Sequence, residues 1–274
     1  MSLEAAGWEG QTLDELKRRW ARPHIHLYTR IDSTNSRAKE LACAGAPAGT
    51  IVLADEQSGG RGVAERRWHS PKGGGLYISF VFRPPSMPNP LLVPVLAGLG
   101  VARAVERTLD GVAVGVKWPN DLIVADRKAG GVLSEISWTT QGMPGHLVVG
   151  IGVNVHQAAS DFPPQLRDVA ISLDMASGRT VSRLELADFV IAEVEARCAA
   201  PPESLDSRFL RQFERHDWLR DRRCAVTKPG AAPVQGTAVG IAPDGALLFR
   251  PDGGAQVCLT TARVTVNQLP TPEY

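Results

Sequence analysis

A long glycine-rich loop between two short apolar segments is the feature that most limits how this chain can fold. The apolar segments, 50–54 and 76–82, are rich in β-branched and aromatic residues, which predicts two neighbouring strands. The residues between them include six glycines, three arginines and one lysine. Loops longer than about 12 residues inside a folded domain are usually functional or disordered. This loop is therefore either a flexible surface hairpin or a place where backbone amides and guanidinium groups meet an anion.

The loop lacks the glycine spacing of the common nucleotide-binding motifs. Gly60-Arg61-Gly62 is followed by Val-Ala-Glu at 63–65, so the third glycine of a dinucleotide fingerprint is missing. No G-x-x-x-x-G-K-[ST] motif lies near it either. An anion site in this loop is therefore of another kind.

Three motifs resemble the hallmarks of one enzyme family. They are Gln57 with Gly60-Arg61-Gly62 and Trp68-x-Ser70-Pro71 in the loop, Lys-Trp-Pro-Asn-Asp at 117–121, and Lys-Ala-Gly-Gly-Val-Leu-x-Glu at 128–135. In this order and approximate spacing they resemble the biotin protein ligases. The resemblance is close over residues 25–154 and loose elsewhere.

The resemblance implies an α+β fold. A mixed sheet with flanking helices, like that of class II aminoacyl-tRNA synthetases and biotin ligases, would be followed by a small C-terminal SH3-like β-barrel. The implied parts are an N-terminal extension with a short helix (1–24), a catalytic biotin- and ATP-binding domain (25–220) and the barrel (221–274). Turn signals at 243–245 and 251–254 independently favour short strands in the last part.

Cap residues and hydrophobic periodicity predict the individual elements. Helices are expected at 13–20, 36–44, 95–109, 182–198 and 205–216, with a proline-rich crossing at 84–94. Strands are expected at 24–28, 50–54, 76–82, 112–116, 122–125, 132–138 and 146–155, and then at 224–228, 234–241, 246–250, 256–259 and 263–266. The glycines at 98 and 100 are expected to let the third helix pack closely.

The resemblance implies a biotin–[biotin carboxyl-carrier protein] ligase reaction in two steps. Biotin and ATP would form biotinyl-5′-AMP, and biotin would then pass to one lysine of a biotin carboxyl carrier domain. Two anions must meet in the first step, so cationic side chains and Mg²⁺ are needed to offset their repulsion. Because the adenylate hydrolyses readily, we expect the glycine-rich loop to be flexible without ligand and to order over the adenylate, excluding water.

Candidate site residues are carried over from positions that match the family's motifs. The catalytic candidates are Lys128, Arg61, Lys117 and Asp121, and Asp121 is also the candidate Mg²⁺ ligand. The biotin-binding candidates are Ser33, Thr34, Asn35, Gln57, Gly60, Arg61, Lys128 and Gly131. The ATP- and adenylate-binding candidates are Arg61, Gly62, Val63, Arg66, Trp68, Lys117, Asn120, Lys128 and Asn154. Residues 33–35 are also typical of an ordinary helix cap, and both roles are compatible, because a helix N-terminus presents N–H groups to ligand oxygens.

One position departs from the family's pattern. Members commonly have another arginine directly after Gly-Arg-Gly, where this chain has Val63. Valine cannot bond to phosphate, so either Arg66 or Arg67 takes over that contact or the adenylate is held less firmly. In the second case the enzyme would release biotinyl-AMP and label bystander lysines.

Composition limits the partners. The 274 residues include 30 basic and 29 acidic side chains, so no overall charge attracts DNA or an anionic membrane. Four scattered cysteines favour small buried thiols in a reduced, cytoplasmic protein over a disulfide or a zinc site. No apolar run is long enough to span a bilayer. Family members are monomers or homodimers, so a homodimer is one of two expected states.

Three other functions stay open at this point. A lipoate-protein ligase or octanoyltransferase-like enzyme would share the fold, but Trp68 and the motif at 117–121 argue against it. A DNA-binding biotin sensor needs the N-terminal winged-helix domain of some family members, for which residues 1–24 are too few. A non-catalytic biotin- or anion-binding module would bind without reacting. A differential scan with biotin against lipoate tests the first of these alternatives, and release of pyrophosphate that depends on biotin and ATP tests the third.

Overall fold

The computed structural model describes residues 2–228 and 230–266. The first strands are β1 (Leu3–Glu4), β2 (Gly7–Trp8), β3 (Gln11–Thr12), β4 (Ile25–Arg30), β5 (Thr50–Ala54), β6 (Gly75–Phe82), β7 (Val114–Lys117), β8 (Asp121–Val124), β9 (Arg127–Trp138) and β10 (Pro144–Asn154). The helices are α1 (Leu13–Trp20), α2 (Thr34–Cys43), α3 (Leu92–Thr108), α4 (Leu173–Ser177), α5 (Arg183–Cys198) and α6 (Ser207–His216). The last strands are β11 (Arg223–Thr227), β12 (Val234–Ile241), β13 (Leu247–Pro251), β14 (Val257–Leu259) and β15 (Arg263–Val266).

Eight strands form one large mixed sheet. Their order is β1-β4-β5-β6-β10-β9-β8-β7, and neighbours are antiparallel except for the parallel pair β4 and β5. With its flanking helices this sheet confirms the predicted α+β fold class. The N-terminal residues add β1 to one edge of the sheet, which the sequence did not predict.

The two faces of the sheet are covered by different helices. Along β5, Ile51 and Leu53 point into the core shared with α3 and α5, whereas Val52 and Ala54 point into a second core under α2. This alternation follows from the two-residue period of a β-strand. Helix α2 therefore packs against β5, β6 and β10 on the face that also carries the functional site described below.

Helix α3 is an almost entirely apolar helix that runs beneath the sheet. A Cβ atom at Gly100 would lie 3.3 Å from the Glu193 backbone oxygen of α5, so this glycine permits the close helix packing that the sequence predicted. The proline-rich connection was predicted to run to residue 94, but it is shorter, since α3 already begins at Leu92. Pro94 fits there because the N–H groups of a helix's first turn have no partner within the helix.

The last five strands form a separate antiparallel sheet, in the order β14-β13-β12-β11-β15. It is compatible with the expected SH3-like barrel. The turn between β12 and β13 contains Gly245 with a φ of +83°, a conformation that favours glycine. The Trp118 indole donates a 2.9 Å hydrogen bond to the Gly245 carbonyl and so attaches this sheet to the main body. The division into parts at 1–24, 25–220 and 221–274 remains a prediction.

Element boundaries differ from the predicted ones by a few residues. Helix α2 begins at Thr34 instead of 36, because Ser33 caps it. Strand β9 begins at Arg127 instead of 132, which moves Lys128 from ahead of the strand into it. Pairing with β8 extends β9 in this direction, and such pairing is not visible in a local pattern.

The four cysteines are free thiols, as expected. The expectation of buried thiols is correct for Cys198 and Cys224 but wrong for Cys43 and Cys258, which are exposed. None of the helices in the described parts of the chain is long and apolar enough to cross a membrane.

Candidate active site

A cavity of about 600 Å³, measured with the open space at its mouth, lies between the glycine-rich loop, the N-terminus of α2 and strands β8, β9 and β10. The predicted site residues that line it are Ser33, Thr34, Asn35, Gln57, Arg61, Gly62, Val63, Arg66, Trp68, Asn120, Asp121, Lys128 and Gly131. Three separate motifs of the sequence thus meet at one place.

One end of the cavity is built from neutral polar side chains. Ser33 caps α2 by accepting a hydrogen bond from the Ser36 amide at 3.4 Å. The Gln57 Oε1 atom accepts from the Thr34 amide at 2.8 Å and from the Thr34 hydroxyl at 3.0 Å, while Gln57 Nε2 donates to the Ser70 hydroxyl at 2.9 Å. Gln57 thereby ties the base of the loop to the start of α2.

Asn35 continues this neutral end towards the sheet. Its Oδ1 atom lies 2.7 Å from the buried hydroxyl of Ser79, and its amide nitrogen donates to the Leu133 carbonyl at 3.3 Å. A Cβ atom at Gly150 would lie 1.8 Å from Asn35 Oδ1. Only glycine at position 150 lets Asn35 lie against strand β10 in this way.

The opposite end of the cavity is charged. Lys128 Nζ lies 2.6 Å from Asp121 Oδ1, and both side chains are mostly buried, with exposed fractions of 11% and 22%. The same ammonium lies 5.4 Å from the centre of the Trp68 ring. The hairpin of β7 and β8 supplies Asp121 and strand β9 supplies Lys128, so both groups stand on regular strands.

A bulge in β9 sets the direction of Lys128. The cross-strand pairs are Asp121 with Gly131, Leu122 with Gly130, and Ile123 with Lys128, so the register shifts by one residue at Ala129. In a regular strand Lys128 and Gly131 would point to opposite faces, because they are three residues apart. The extra residue brings Lys128 to the face of Gly131 and Asp121, and bulges commonly redirect side chains beside active sites.

The backbone of Lys128 is held on its other side by residues 169–171. Its amide donates to the Val169 carbonyl at 2.8 Å, and its carbonyl accepts from the Ile171 amide at 3.0 Å. Asn154 donates to the Ile171 carbonyl at 3.2 Å and reaches the Lys128 carbonyl at 3.5 Å. Asn154 is therefore a buried support behind Lys128 in this structure.

Lys117 lies behind the charged end and does not line the cavity. Burial is the main cause that lowers the pKa of Lys117, the charge of Lys128 lowers it further, and Asp121 acts in the opposite direction. Desolvation favours the neutral form of a lysine. Lys117 is therefore a desolvated lysine behind the cavity wall, and its charged form is less favoured there than in water.

Arg61 is held by a carboxylate that the sequence analysis did not assign to the site. Its guanidinium donates to Glu135 at 2.8 Å and 3.4 Å. The Nε atom of Arg61 and the Nε1 atom of Trp68 are buried and have no hydrogen-bond partner among the residues that the structure describes. A buried donor without a partner costs about 1–3 kcal/mol, so these N–H groups are candidates for contacts with a bound ligand.

Asp121 is the candidate magnesium ligand, and the described residues around it offer few further ligands of the usual kind. The described residues contain no group of three or more His, Cys, Asp or Glu side chains arranged to hold a metal ion. The Asp121 carboxylate is engaged by Lys128. Since Mg²⁺ is often held by one or two carboxylates together with substrate phosphates, the assignment of Asp121 to Mg²⁺ remains a prediction.

Comparisons with known proteins agree with this arrangement. Residues 27–154 match the model of the biotin/lipoate A/B protein ligase family. A biotin–[acetyl-CoA-carboxylase] ligase of Paracoccus denitrificans is 32% identical over 243 residues, which cover 84% of this chain and 96% of that protein. The chain belongs to the biotin protein ligase family. Among solved structures, the biotin protein ligase of Aquifex aeolicus in complex with biotin and ATP has a TM-score of 0.75 at 27% identity, covering 89% of this chain and 100% of the other.

Not every relative has the same extent as this member of the biotin protein ligase family. The bifunctional ligase/repressor BirA of Bacillus spizizenii is 37% identical over 176 residues, or 64% of this chain. The matched part spans 53%, about half, of that relative's length.

Three residues assigned from the family motifs lie outside the cavity lining: Gly60, Lys117 and Asn154. A Cβ atom at Gly60 would lie 2.6 Å from the Trp68 carbonyl oxygen, so this glycine is needed to close the loop. The Gly62 amide, expected to contact phosphate, donates to the Arg66 carbonyl at 2.6 Å. Val63 lies in a short 3₁₀ turn, while Arg66 and Arg67 both line the cavity and remain candidates for the contact that Val63 cannot make.

Sequence reasoning missed several residues of the cavity: Leu133, Gly150 and Gly152 in its lining, and Ser79 and Glu135 behind it. Gly150 and Gly152 alternate within an otherwise apolar strand, and glycine inside a strand often marks the close approach of another group. A Cβ atom at Gly152 would lie 2.4 Å from Trp68 Nε1. That alternation was the signal that could have found them.

Proposed function

We propose that the protein is a biotin–[biotin carboxyl-carrier protein] ligase, which activates biotin with ATP and transfers it to a lysine of a carrier domain. The observation that carries this proposal is that Arg61 and Lys128, from distant motifs, line one cavity whose other end is neutral and polar. The Aquifex aeolicus relative was solved in complex with biotin and ATP, which supports these substrates.

In the first step a carboxylate oxygen of biotin attacks the α-phosphorus of ATP. The bond between that phosphorus and the bridging oxygen breaks, and pyrophosphate leaves with the electron pair. Lys128 and Arg61 would donate hydrogen bonds to the carboxylate and phosphate oxygens. Such donors stabilise developing charge most strongly where water is excluded, and Lys128 is only 11% exposed.

The neutral end suits the ureido ring, which offers one carbonyl acceptor and two N–H donors. Thr34, Asn35 and Gln57 provide both hydroxyl and amide groups there. These side chains are already held by hydrogen bonds, so they would meet the ring with little loss of conformational freedom.

In the second step the neutral amine of the acceptor lysine attacks the carbonyl carbon of biotinyl-5′-AMP. An amide bond forms, AMP leaves with the electrons of the mixed anhydride, and the nitrogen loses a proton. Asp121 is our candidate for accepting that proton, since it lies 2.6 Å from Lys128 at the charged end. Lys117 would contribute charge from behind the wall.

The proposal includes a biotin carboxyl carrier domain as partner, Mg²⁺ bound with the ATP phosphates, and a cytoplasmic location in which free thiols persist. The proposal is compatible with either a monomer or a homodimer. No step described above is routed through the metal.

Incubation with biotin, MgATP and a generic carboxyl carrier domain tests the proposal. We expect mass spectrometry to show one biotin on one carrier lysine, and pyrophosphate release that depends on biotin. Lipoate and octanoate in place of biotin are the controls. Modification by those acids but not by biotin would favour a lipoate ligase or octanoyltransferase, and binding without pyrophosphate release would favour a non-catalytic module.

A further inference from the structure

Glu135 is the carboxylate that joins the two ends of the cavity. It stands on β9 two residues beyond Leu133 and therefore on the same face of the strand. Its oxygens accept hydrogen bonds from Arg61 at 2.8 Å and 3.4 Å and from the Asn35 amide nitrogen at 3.0 Å. Lys39 lies 3.5 Å from the same carboxylate.

The two hydrogen bonds to Arg61 fix the direction of its guanidinium group. A carboxylate that takes two N–H groups of one arginine holds the plane of that group as well as its position. Arg61 belongs to a glycine-rich loop, and its side chain is 35% exposed. Glu135 accepts hydrogen bonds from the two terminal nitrogens of Arg61. The Arg61 Nε atom is buried and has no partner among the described residues.

The hydrogen bond from Asn35 to Glu135 connects Arg61 to the neutral end of the cavity. Asn35 is confined by the Ser79 hydroxyl, the Leu133 carbonyl and the bare backbone of Gly150. Because Asn35 is itself fixed, Glu135 has a rigid support on one side and contacts the glycine-rich loop on the other. The Glu135 carboxylate thereby holds the Arg61 guanidinium at a set position relative to α2.

A negative charge beside a site for two anions weakens their binding, so the presence of Glu135 calls for a compensating role. Although burial acts to raise the pKa of Glu135, the hydrogen bond from Asn35 and the charges of Arg61 and Lys39 lower it overall. The group is therefore ionised at neutral pH and keeps its hold on Arg61. Holding a guanidinium group in a reactive direction is a use that outweighs the repulsion.

We propose that Glu135 is a positioning residue, which aims Arg61 at the reacting carboxylate and phosphate and sets it relative to the biotin end of the cavity. This inference rests on the proposed function. It assigns Glu135 no contact with substrate, so its effect must pass through Arg61.

The test is biotin-dependent exchange between pyrophosphate and ATP, which reports the first step alone. In Glu135→Gln the amide keeps one acceptor oxygen but loses the charged pair, and we expect kcat to fall by about tenfold or more, while the KM for biotin changes by less than about threefold. Glu135→Asp keeps the charge on a shorter side chain, so kcat should fall by less than in Glu135→Gln. It also keeps the test valid if Glu135→Gln is unstable. The unfolding midpoint of each variant is measured beside its kinetics.

Two comparisons separate positioning from a general effect of charge or folding. Lys39→Ala removes the other cation from the same carboxylate and should leave kcat within about twofold. In an Arg61→Ala background, Glu135→Gln should add less than about twofold, because its partner is already gone.

The inference is overturned if Glu135→Gln leaves kcat unchanged, if its loss is undiminished in the Arg61→Ala background, or if Lys39→Ala costs as much. A wild-type protein that shows no exchange would contradict the proposed function itself, and the role of Glu135 with it.

Discussion

The two ends of the cavity organise their polar groups in opposite ways. At the neutral end, Thr34 donates to Gln57. Asn35 donates to the Leu133 carbonyl and accepts from the Ser79 hydroxyl. At the charged end the lining contains four cationic residues, Arg61, Arg66, Arg67 and Lys128, but one carboxylate, Asp121. The neutral end is therefore suited to recognising shape and hydrogen-bond pattern, and the charged end to stabilising anions. The proposed function requires such a difference, since one cavity would have to bind a neutral ring and bring two anions together.

The largest effect is expected at the charged end. Lys128→Met should lower the rate of biotin-dependent pyrophosphate exchange by about 10²–10³-fold, the range found when one donor to a developing charge is removed. Lys72→Met, which removes an exposed lysine of the same loop, is the matched control and should change the rate little. Comparable rates for the two variants would mean that the charged end is not where the anions react.

The next effect should appear at the neutral end. Gly150→Ala places a methyl group 1.8 Å from Asn35 Oδ1, and Asn35 or the strand must move. We expect a loss of about 1–3 kcal/mol in the free energy of unfolding, together with much weaker biotin binding in calorimetry. Gly145→Ala, in the same strand, brings its Cβ no closer than 3.4 Å to its neighbours and is the control. Unchanged biotin affinity in Gly150→Ala would show that Asn35 does not shape the biotin end.

A smaller loss should follow removal of the cap of α2. Ser33→Ala removes the acceptor of the Ser36 amide and should cost about 1 kcal/mol of unfolding free energy. Ser182→Ala removes the corresponding cap of α5, and Ser182 does not line the cavity. Chemical denaturation should show similar losses, whereas only Ser33→Ala should weaken biotin binding. Equal biotin affinities would reduce Ser33 to an ordinary cap.

The smallest effect is expected in the pH dependence of stability. Burial lowers the pKa of Lys117 in the folded protein below its ordinary value of 10.5. Between the two values the unfolded chain binds more protons than the folded one, so stability rises with pH in that window. Lys117→Met should lack this rise when unfolding free energies are compared between neutral and alkaline pH. Equal slopes for variant and wild type would show that Lys117 is not desolvated behind the charged end.

The sequence predicted the class of fold and much of the cavity lining. Strand periodicity, cap residues and glycine-rich turns are local signals, and they found α2, the strands on either side of the loop and the five-stranded C-terminal sheet. The motifs likewise singled out Arg61, Asp121 and Lys128. Those residues are charged but stand within or next to apolar strands, where packing alone gives no reason for a charge.

Only the tertiary structure decided which groups face one another. The bulge at Ala129 turns Lys128 towards Asp121, Glu135 holds Arg61, and Gly150 makes room for Asn35. Each of these depends on the register between strands that are distant in the chain. Propensity and periodicity act over a few residues, whereas register is set by packing of the whole sheet, so no local pattern contains it.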